Sequence, residues 1–190
     1  LYSFWRGTFP AMLRIDFVYL FPELLLGAVD HSILKRAASA GLVHFGVSNP
    51  RDFTTDNHRT VDDDPYGGGA GMLMKPEPLA QALDSLAIDD QTAVVFVDPV
   101  AKLFDQGHAV ELSKTGRVVL VCGHYEGIDD RITDAFIHEE ISIGDYICNG
   151  GEVPAMVLID RPGLRATQLQ SPTLTRPISI ARPSGLAPGA

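Results

Sequence analysis

Two segments concentrate the residue types that can hold a small ligand. They are Gly123-His-Tyr-Glu-Gly-Ile-Asp-Asp-Arg131 and Ile141-Ser-Ile-Gly-Asp-Tyr-Ile-Cys-Asn-Gly-Gly-Glu-Val-Pro154. Each follows an apolar, strand-like run, Val118–Cys122 or Phe136–Ile143, and packs small, polar and aromatic residues into a short stretch. Glycine permits positive φ and lets a ligand approach the main chain closely. Ligands of open α/β sheets sit where strands end in loops, so two such loops read as walls of one pocket. A pair of structural turns is the plainer alternative. A third segment, Asp62-Asp-Asp-Pro-Tyr-Gly-Gly-Gly-Ala-Gly-Met72, suggests a phosphate cradle. A P-loop needs a Gly-Lys-Ser/Thr ending, and Lys75 comes too late and is followed by Pro76. The other reading is a flexible acidic loop. Cys122 and Cys148 are too few for a disulfide framework and read as small, reduced side chains. No Cys/His spacing suggests zinc, and the six histidines are scattered.

The elements that must position these segments alternate. Ile15–Leu20 is strand-like, and Glu23–Ala40 has apolar residues at helical spacing (Leu24, Leu25, Ala28, then Ile33, Leu34, Ala37) with Gly41 as a stop. Leu42–Val47 reads as a strand, and residues 48–75 as a long Gly-rich loop, a length usually tied to function. A helix is expected over Pro76–Ala87, opening at a proline. A buried strand over Ala93–Val97 should end at Asp98-Pro99. Asp105–Thr115 reads as a helix, Val118–Cys122 as a strand, Glu126–Phe136 as a helix and Ile137–Ile143 as a strand. A final helix over Glu152–Asp160 should stop at Pro162-Gly163. Strands alternating with helices predict an α/β fold with a mostly parallel sheet.

Composition sets the frame. The chain has 190 residues, 45% hydrophobic and 21% charged, which is a globular composition with enough length for a core. No apolar run has the length of a membrane span, since Phe17–Val29 is broken by Pro22 and Glu23. Residues 1–11 lack a continuous apolar stretch and do not read as a signal peptide. The net charge of −9 is unpromising for a nucleic-acid binder. The charge is uneven: four of the 15 basic residues and none of the 24 acidic ones fall in 161–190. Local patches rather than net charge decide RNA binding.

Taken together, the two loops, the block Arg51-Asp-Phe-Thr-Thr-Asp-Asn-His-Arg-Thr-Val-Asp-Asp-Asp-Pro-Tyr-Gly-Gly-Gly-Ala-Gly-Met72 and the opening Arg14-Ile-Asp-Phe-Val-Tyr-Leu-Phe-Pro-Glu23 resemble the bacterial tRNA (guanine-N1-)-methyltransferases. The resemblance runs from about Met12 to Asp160, with the motifs in the family's order. It implies a SPOUT-like fold with a deep trefoil knot, in which the chain after Ile143 threads an earlier loop. It also implies an S-adenosylmethionine site formed by Gly123, Tyr125, Glu126, Gly127, Ser142, Ile143, Gly144, Asp145, Tyr146, Ile147 and Cys148, with Gly150, Gly151 and Pro154 lining it. Phe96, Val97 and Pro99 would form a third wall. There the family pattern Ser-Pro-Gln-Gly is replaced by Asp98-Pro99-Val100-Ala101. The sulfonium is cationic, so Glu126 or Asp145 would stabilise it. Arg51, Asp56, His58, Arg59, Tyr66, Gly67, Gly68 and Gly69 would face substrate or a second subunit. Implied with them are a homodimer, tRNA as partner, a cytoplasmic setting without a membrane, and Mg2+ as an accessory without a dedicated protein site.

The implied reaction moves a methyl group to N1 of the guanosine immediately 3′ of the anticodon. It needs oriented reactants, a base for the N1 proton and a cation near O6. Glu126 and Arg165 (or Arg161) are the candidates on this chain for charge work. The family's basic Asp precedes a Pro-x-x-Thr-Arg-Pro sequence; here Pro172 and Thr175-Arg176-Pro177 match, and the base position is Gln170. Expected domains are an N-terminal extension over 1–11, the knotted domain over 12–160 and an extended basic tail over 161–190 in place of the family's linker and C-terminal domain. Two functions follow: the methyltransferase itself, weakened by Gln170, or a cofactor-binding dimerisation module without catalysis.

Overall fold

The computed structural model describes residues 12–160 apart from 66, 67, 69 and 70. Five parallel strands form the central sheet in the order β2-β1-β6-β5-β7. They are β1 (Leu13–Val18), β2 (Val43–Ser48), β5 (Thr92–Leu103), β6 (Arg117–Val121) and β7 (Glu139–Ser142). A two-stranded antiparallel ribbon, β3 (Asp62–Asp63) with β4 (Leu73–Met74), stands apart. The helices are α1 (Pro22–Val29), α2 (Ser32–Ser39), α3 (Pro76–Asp84), α4 (Gln106–Lys114), α5 (Asp130–Phe136) and α6 (Glu152–Asp160). The expected α/β class and parallel sheet are therefore present.

Strand alternation makes two cores. Val118 and Leu120 point to the face covered by Leu25 and Val29 of α1, Leu112 of α4 and Leu158 and Ile159 of α6. Val119 and Val121 point to the opposite face, against Leu79 and Leu83 of α3 and Ile132 of α5. A strand buried on both sides reads as a continuous apolar run, which is what residues 118–121 provide. Burial of this kind gives roughly 25 cal/mol per Å² of apolar surface removed from water.

Four expectations are corrected. The single helix over Glu23–Ala40 is two helices: α1 closes with Asp30, His31 is extended, and Ser32 starts α2 at φ 52°. Apolar spacing continues across the break, so hydropathy does not reveal it. The strand starting near Ala93 does not end at Asp98-Pro99. Ile141 of β7 pairs with Val97 and again with Lys102, so residues 98–101 bulge out and β5 resumes beyond them. Pro99 has no N–H to donate, and a bulge is where a strand tolerates that loss. The helix expected from Glu126 begins at Asp130, because residues 126–128 are bonded to β4: Glu126 N donates to Met72 O (2.9 Å) and Met74 N to Gly127 O (3.1 Å). The long loop over 48–75 carries a 3₁₀ turn, Pro50–Phe53, besides the β3–β4 ribbon.

Within the sheet, on the neighbouring strands β1 and β6, a buried charge network ties three elements together. Asp16 is 0% exposed and takes Nε bonds from Arg14 and Arg117, each at 2.8 Å. Arg117 also donates to the carbonyls of Leu86 (2.7 Å) and Ala87 (3.2 Å), closing the end of α3 onto the sheet. The Asp16 carboxylate lies over Gly46 of β2, where an added Cβ would fall 2.0 Å from Oδ1. Removing one partner of a buried pair strands the other charge. Asp16→Asn is expected to cost on the order of 2–4 kcal/mol, toward the low end because Arg14 keeps contact with water. Urea unfolding of the variant checks this through the shift in midpoint.

Acid should weaken the fold through a different set of groups. Hydrogen bonds from the Arg131 guanidinium, with its backbone N–H and charge, hold Asp129 down from an ordinary 3.8 to about 2. The Thr92 hydroxyl lowers Asp89, and the His108 N–H lowers Asp105 at the start of α4. A depressed carboxylate contributes stability that is full above its unfolded value and lost as pH falls through the folded one. The melting temperature should therefore decline between about pH 4 and pH 2. Asp129→Asn, which keeps an oxygen to cap α5, should flatten that part of the profile.

Candidate functional site

The C-terminal ends of β5, β6 and β7 lie side by side, and the loops that leave them enclose a cavity of about 340 Å³. Its three walls are the bulge at 96–100, residues 123–127 and residues 142–154. Chain separation between the walls is large, so only the sheet order brings them together.

Two contacts fix the walls to one another. Gly151 N donates to Gly123 O at 2.8 Å. An added Cβ on Gly151 would lie 2.6 Å from Cys122 Cα, a backbone atom that cannot swing aside. Glycine is required there by close approach, not by φ. On the other side, buried Ser142 places its hydroxyl 3.1 Å from Pro99 O and 3.0 Å from Gly144 O, and accepts from Gly144 N at 3.3 Å. One side chain thus bridges the β5 bulge and the β7 loop. Below the cavity, His124 Nε2 meets Glu152 Oε1 at 2.5 Å, joining the β6 loop to the first turn of α6. The Glu152 side chain is only 5% exposed. Burial pushes the neighbouring Cys122 thiol well above its ordinary range, which keeps it an inert packing group.

Backbone strain also collects here. Tyr125 holds φ 60°, and Gly127 follows at φ 131°. A non-glycine residue in this region costs about 1–3 kcal/mol and is a common mark of ligand sites. The turn exposes the Tyr125 ring while the loop is pinned by its bonds to residues 72–74.

Most of the residues expected for the cofactor meet at this cavity. Phe96, Val97, Pro99, Gly123, Tyr125, Glu126, Gly127, Ser142, Ile143, Gly144, Tyr146, Ile147, Cys148, Gly150, Gly151 and Pro154 all line it. Asp145 does not, so among the two acids proposed to face a cation only Glu126 is in the wall. Four further residues line it, Asp98, Val100, His124 and Asn149. All four lie inside or beside the motifs, and Asp98 and Val100 belong to the β5 bulge.

The substrate candidates lie elsewhere. Arg51 Nη1 donates to Arg59 O (3.0 Å), Arg59 contacts Asp52 at 3.5 Å, and Asp56 accepts from Thr60 Oγ1 at 2.8 Å. Those Thr60 bonds, with the His58 N–H, lower the Asp56 carboxyl. These residues and His58 stabilise their own loop and do not line the cavity. Gly68 is in the same loop; Tyr66, Gly67, Gly69, Arg161, Arg165 and Gln170 lie outside the described residues. Among the described residues, no group of three or more His, Cys, Asp or Glu side chains could hold a metal ion, and no helix is long and apolar enough to cross a membrane.

A parallel α/β sheet with a glycine-walled cavity over three adjacent strand ends defines a small-molecule-binding α/β domain. The family model described as tRNA (Guanine-1)-methyltransferase TrmD matches residues 13–177, and the chain belongs to that family. Proteins named tRNA (guanine-N(1)-)-methyltransferase are similar to it: that of Dictyoglomus turgidum is 55% identical over 149 residues, covering 78% of this chain and 60% of that one. The Pelotomaculum thermopropionicum protein is 50% identical over 151 residues, with 78% and 60% covered. One from Staphylococcus aureus is 45% identical over 148 residues, again with 78% and 60% covered. The chain thus spans about 60% of the length of these relatives.

The two loop glycines should respond differently to substitution. Gly151→Val forces a Cβ onto the Cys122 backbone, whereas at Gly144 the obstacle is the Tyr146 ring, 2.1 Å from an added Cβ and on a flexible side chain. Gly151→Val is expected to lose about 1–3 kcal/mol of stability together with ligand binding. Gly144→Val should lose binding with a smaller change in stability. Thermal melts with and without ligand separate the two.

Proposed function

We propose that this chain binds S-adenosylmethionine and transfers its methyl group to N1 of the guanosine immediately 3′ of the anticodon in tRNA. One observation carries the reading: sixteen of seventeen positions expected from three separated segments line one cavity. The cavity suits the ligand. Its volume lies in the range of small-molecule sites, roughly 300–1,000 Å³. Glycines 123, 150 and 151 let the walls close on one another, since an added Cβ would meet Phe96, Glu152 and His124, or Cys122, and the Glu126 carboxylate suits a cation.

The bound cofactor supplies an electrophilic methyl on a sulfonium. The chain's part is orientation: main-chain groups of the 123–127 and 142–148 loops hold adenine and the amino-acid end, and Tyr125 and Tyr146 cover them. The ties Gly151–Gly123 and His124–Glu152 preset those walls, so little ordering remains to be done on binding. Removal of the guanine N1 proton falls in the family to an Asp. Gln170 holds that position in this sequence, and an amide cannot act as a base. Turnover should therefore fall roughly 10²–10⁴-fold below that of an enzyme with the carboxylate. Mg2+ would enter with the substrates.

A homodimer completes the reading. The outer faces of α1 and α6 carry Leu24 and Val153 at 51% exposure and Val157 at 36%, an apolar surface suited to a second copy. The 48–75 loop, whose basic residues do not reach this subunit's cavity, would then serve the partner's. The knot is part of the same proposal, with the 144–151 segment as the crossing chain. A cytoplasmic setting follows from a tRNA substrate.

Calorimetry with S-adenosylmethionine, then a single-turnover assay with enzyme in excess over tRNA, tests the reading. Slow methyl incorporation is expected into tRNA with guanosine 3′ of the anticodon, and none into the same tRNA with adenosine there. Binding without any incorporation would favour the alternative, a cofactor-binding dimerisation module. Light scattering at tens of micromolar should give twice the chain mass.

A further inference from the structure

The charge around the cavity is one-sided. Among the described residues that line it, Asp98 and Glu126 are carboxylates and no Lys or Arg contributes. The lining histidine, His124, is engaged by Glu152. Asp98 and Glu126 also face an adjoining hollow, where Asp129, Asp130 and Glu140 add three more acids. The arginine of that hollow, Arg131, is held by both oxygens of Asp129 at 2.8 Å. A ligand in the main cavity therefore sits in a negative potential made by several walls.

Asp98 is the member of this set that departs from the resembled pattern, which has Ser in its place. It is fixed by the fold: its Oδ1 accepts from Val100 N at 2.7 Å, holding the carboxyl in the bulge of β5. Resting on the cofactor reading above, we propose that Asp98 is a charge-selecting residue, favouring the cationic sulfonium ligand over the demethylated thioether product. The two ligands share the adenosine and amino-acid parts, so contacts to those parts cancel in the comparison. They differ by one methyl and one positive charge. A group that responds to that charge discriminates between them, and a fixed carboxylate in the wall does so. The consequence is easier exchange of spent product for fresh cofactor.

The test titrates S-adenosylmethionine and S-adenosylhomocysteine separately into the full chain and into Asp98→Asn. Asparagine keeps a carbonyl oxygen for the Val100 N–H, so the bulge is retained and only the charge is removed. Affinity for the sulfonium ligand should fall roughly threefold to tenfold at low salt, with the thioether changed by less than about twofold. The preference of the unmodified chain should also shrink as salt rises, a measurement that needs no variant. Equal weakening of both ligands, or a ratio unchanged by the substitution and by salt, overturns the proposal. Absence of heat with either ligand on the unmodified chain overturns the cofactor reading itself.

Discussion

Everything at the site depends on the contact between Gly151 and the Cys122–Gly123 backbone. The first turn of α6 can dock on the end of β6 only because position 151 has no Cβ, since one added there would fall 2.6 Å from Cys122 Cα. That docking sets the Gly151–Gly123 hydrogen bond, brings Glu152 under His124, and turns the 144–150 segment over the strand ends. Gly150 is crowded in a different way, since a Cβ there would meet the side chains of Glu152 and His124 rather than backbone. A helix that packed one side-chain layer farther out would leave the three loops without a common cavity.

The charged groups divide by position in the sheet. Asp16, Arg14 and Arg117 form a satisfied network in which each charge has a partner, and its role is to join β1, β6 and the end of α3. Networks of this kind need every member satisfied, because a lone buried charge is far more costly than none. At the loop end the carboxylates are exposed or half-exposed and lack such cationic partners in the cavity wall. Charges that serve the fold are neutralised within it, and those facing the cavity are left to act on what enters.

Gly71 and the residues that follow it serve neither P-loop chemistry nor simple slack. Residues 72–74 bond to 126–128 as a short strand would, and Gly71 lets the Glu126 side chain pass at a distance a Cβ would block. The loop thereby becomes a support for the cavity wall. That arrangement explains why Glu126 belongs to the wall while the helix waits until Asp130, where Asp129 can cap it.

The sequence alone determined the alternation of elements, the parallel sheet and the loops that matter, because buried strands such as Val118–Val121 and turn glycines leave marks that are local in the chain. The start of the final helix at Glu152 was legible for the same reason. Family likeness supplied the ligand; spacing could say only that two loops belonged together. Tertiary structure decided the rest. The break at Asp30–Ser32 is invisible to hydropathy, since apolar spacing runs through it. The bulge at 98–101 exists because Ile141 pairs on both sides of it, a long-range register no window of sequence contains. Asp145 and Asp98 sit in equally suggestive motifs, yet only Asp98 lines the cavity, a difference that spacing along the chain does not carry.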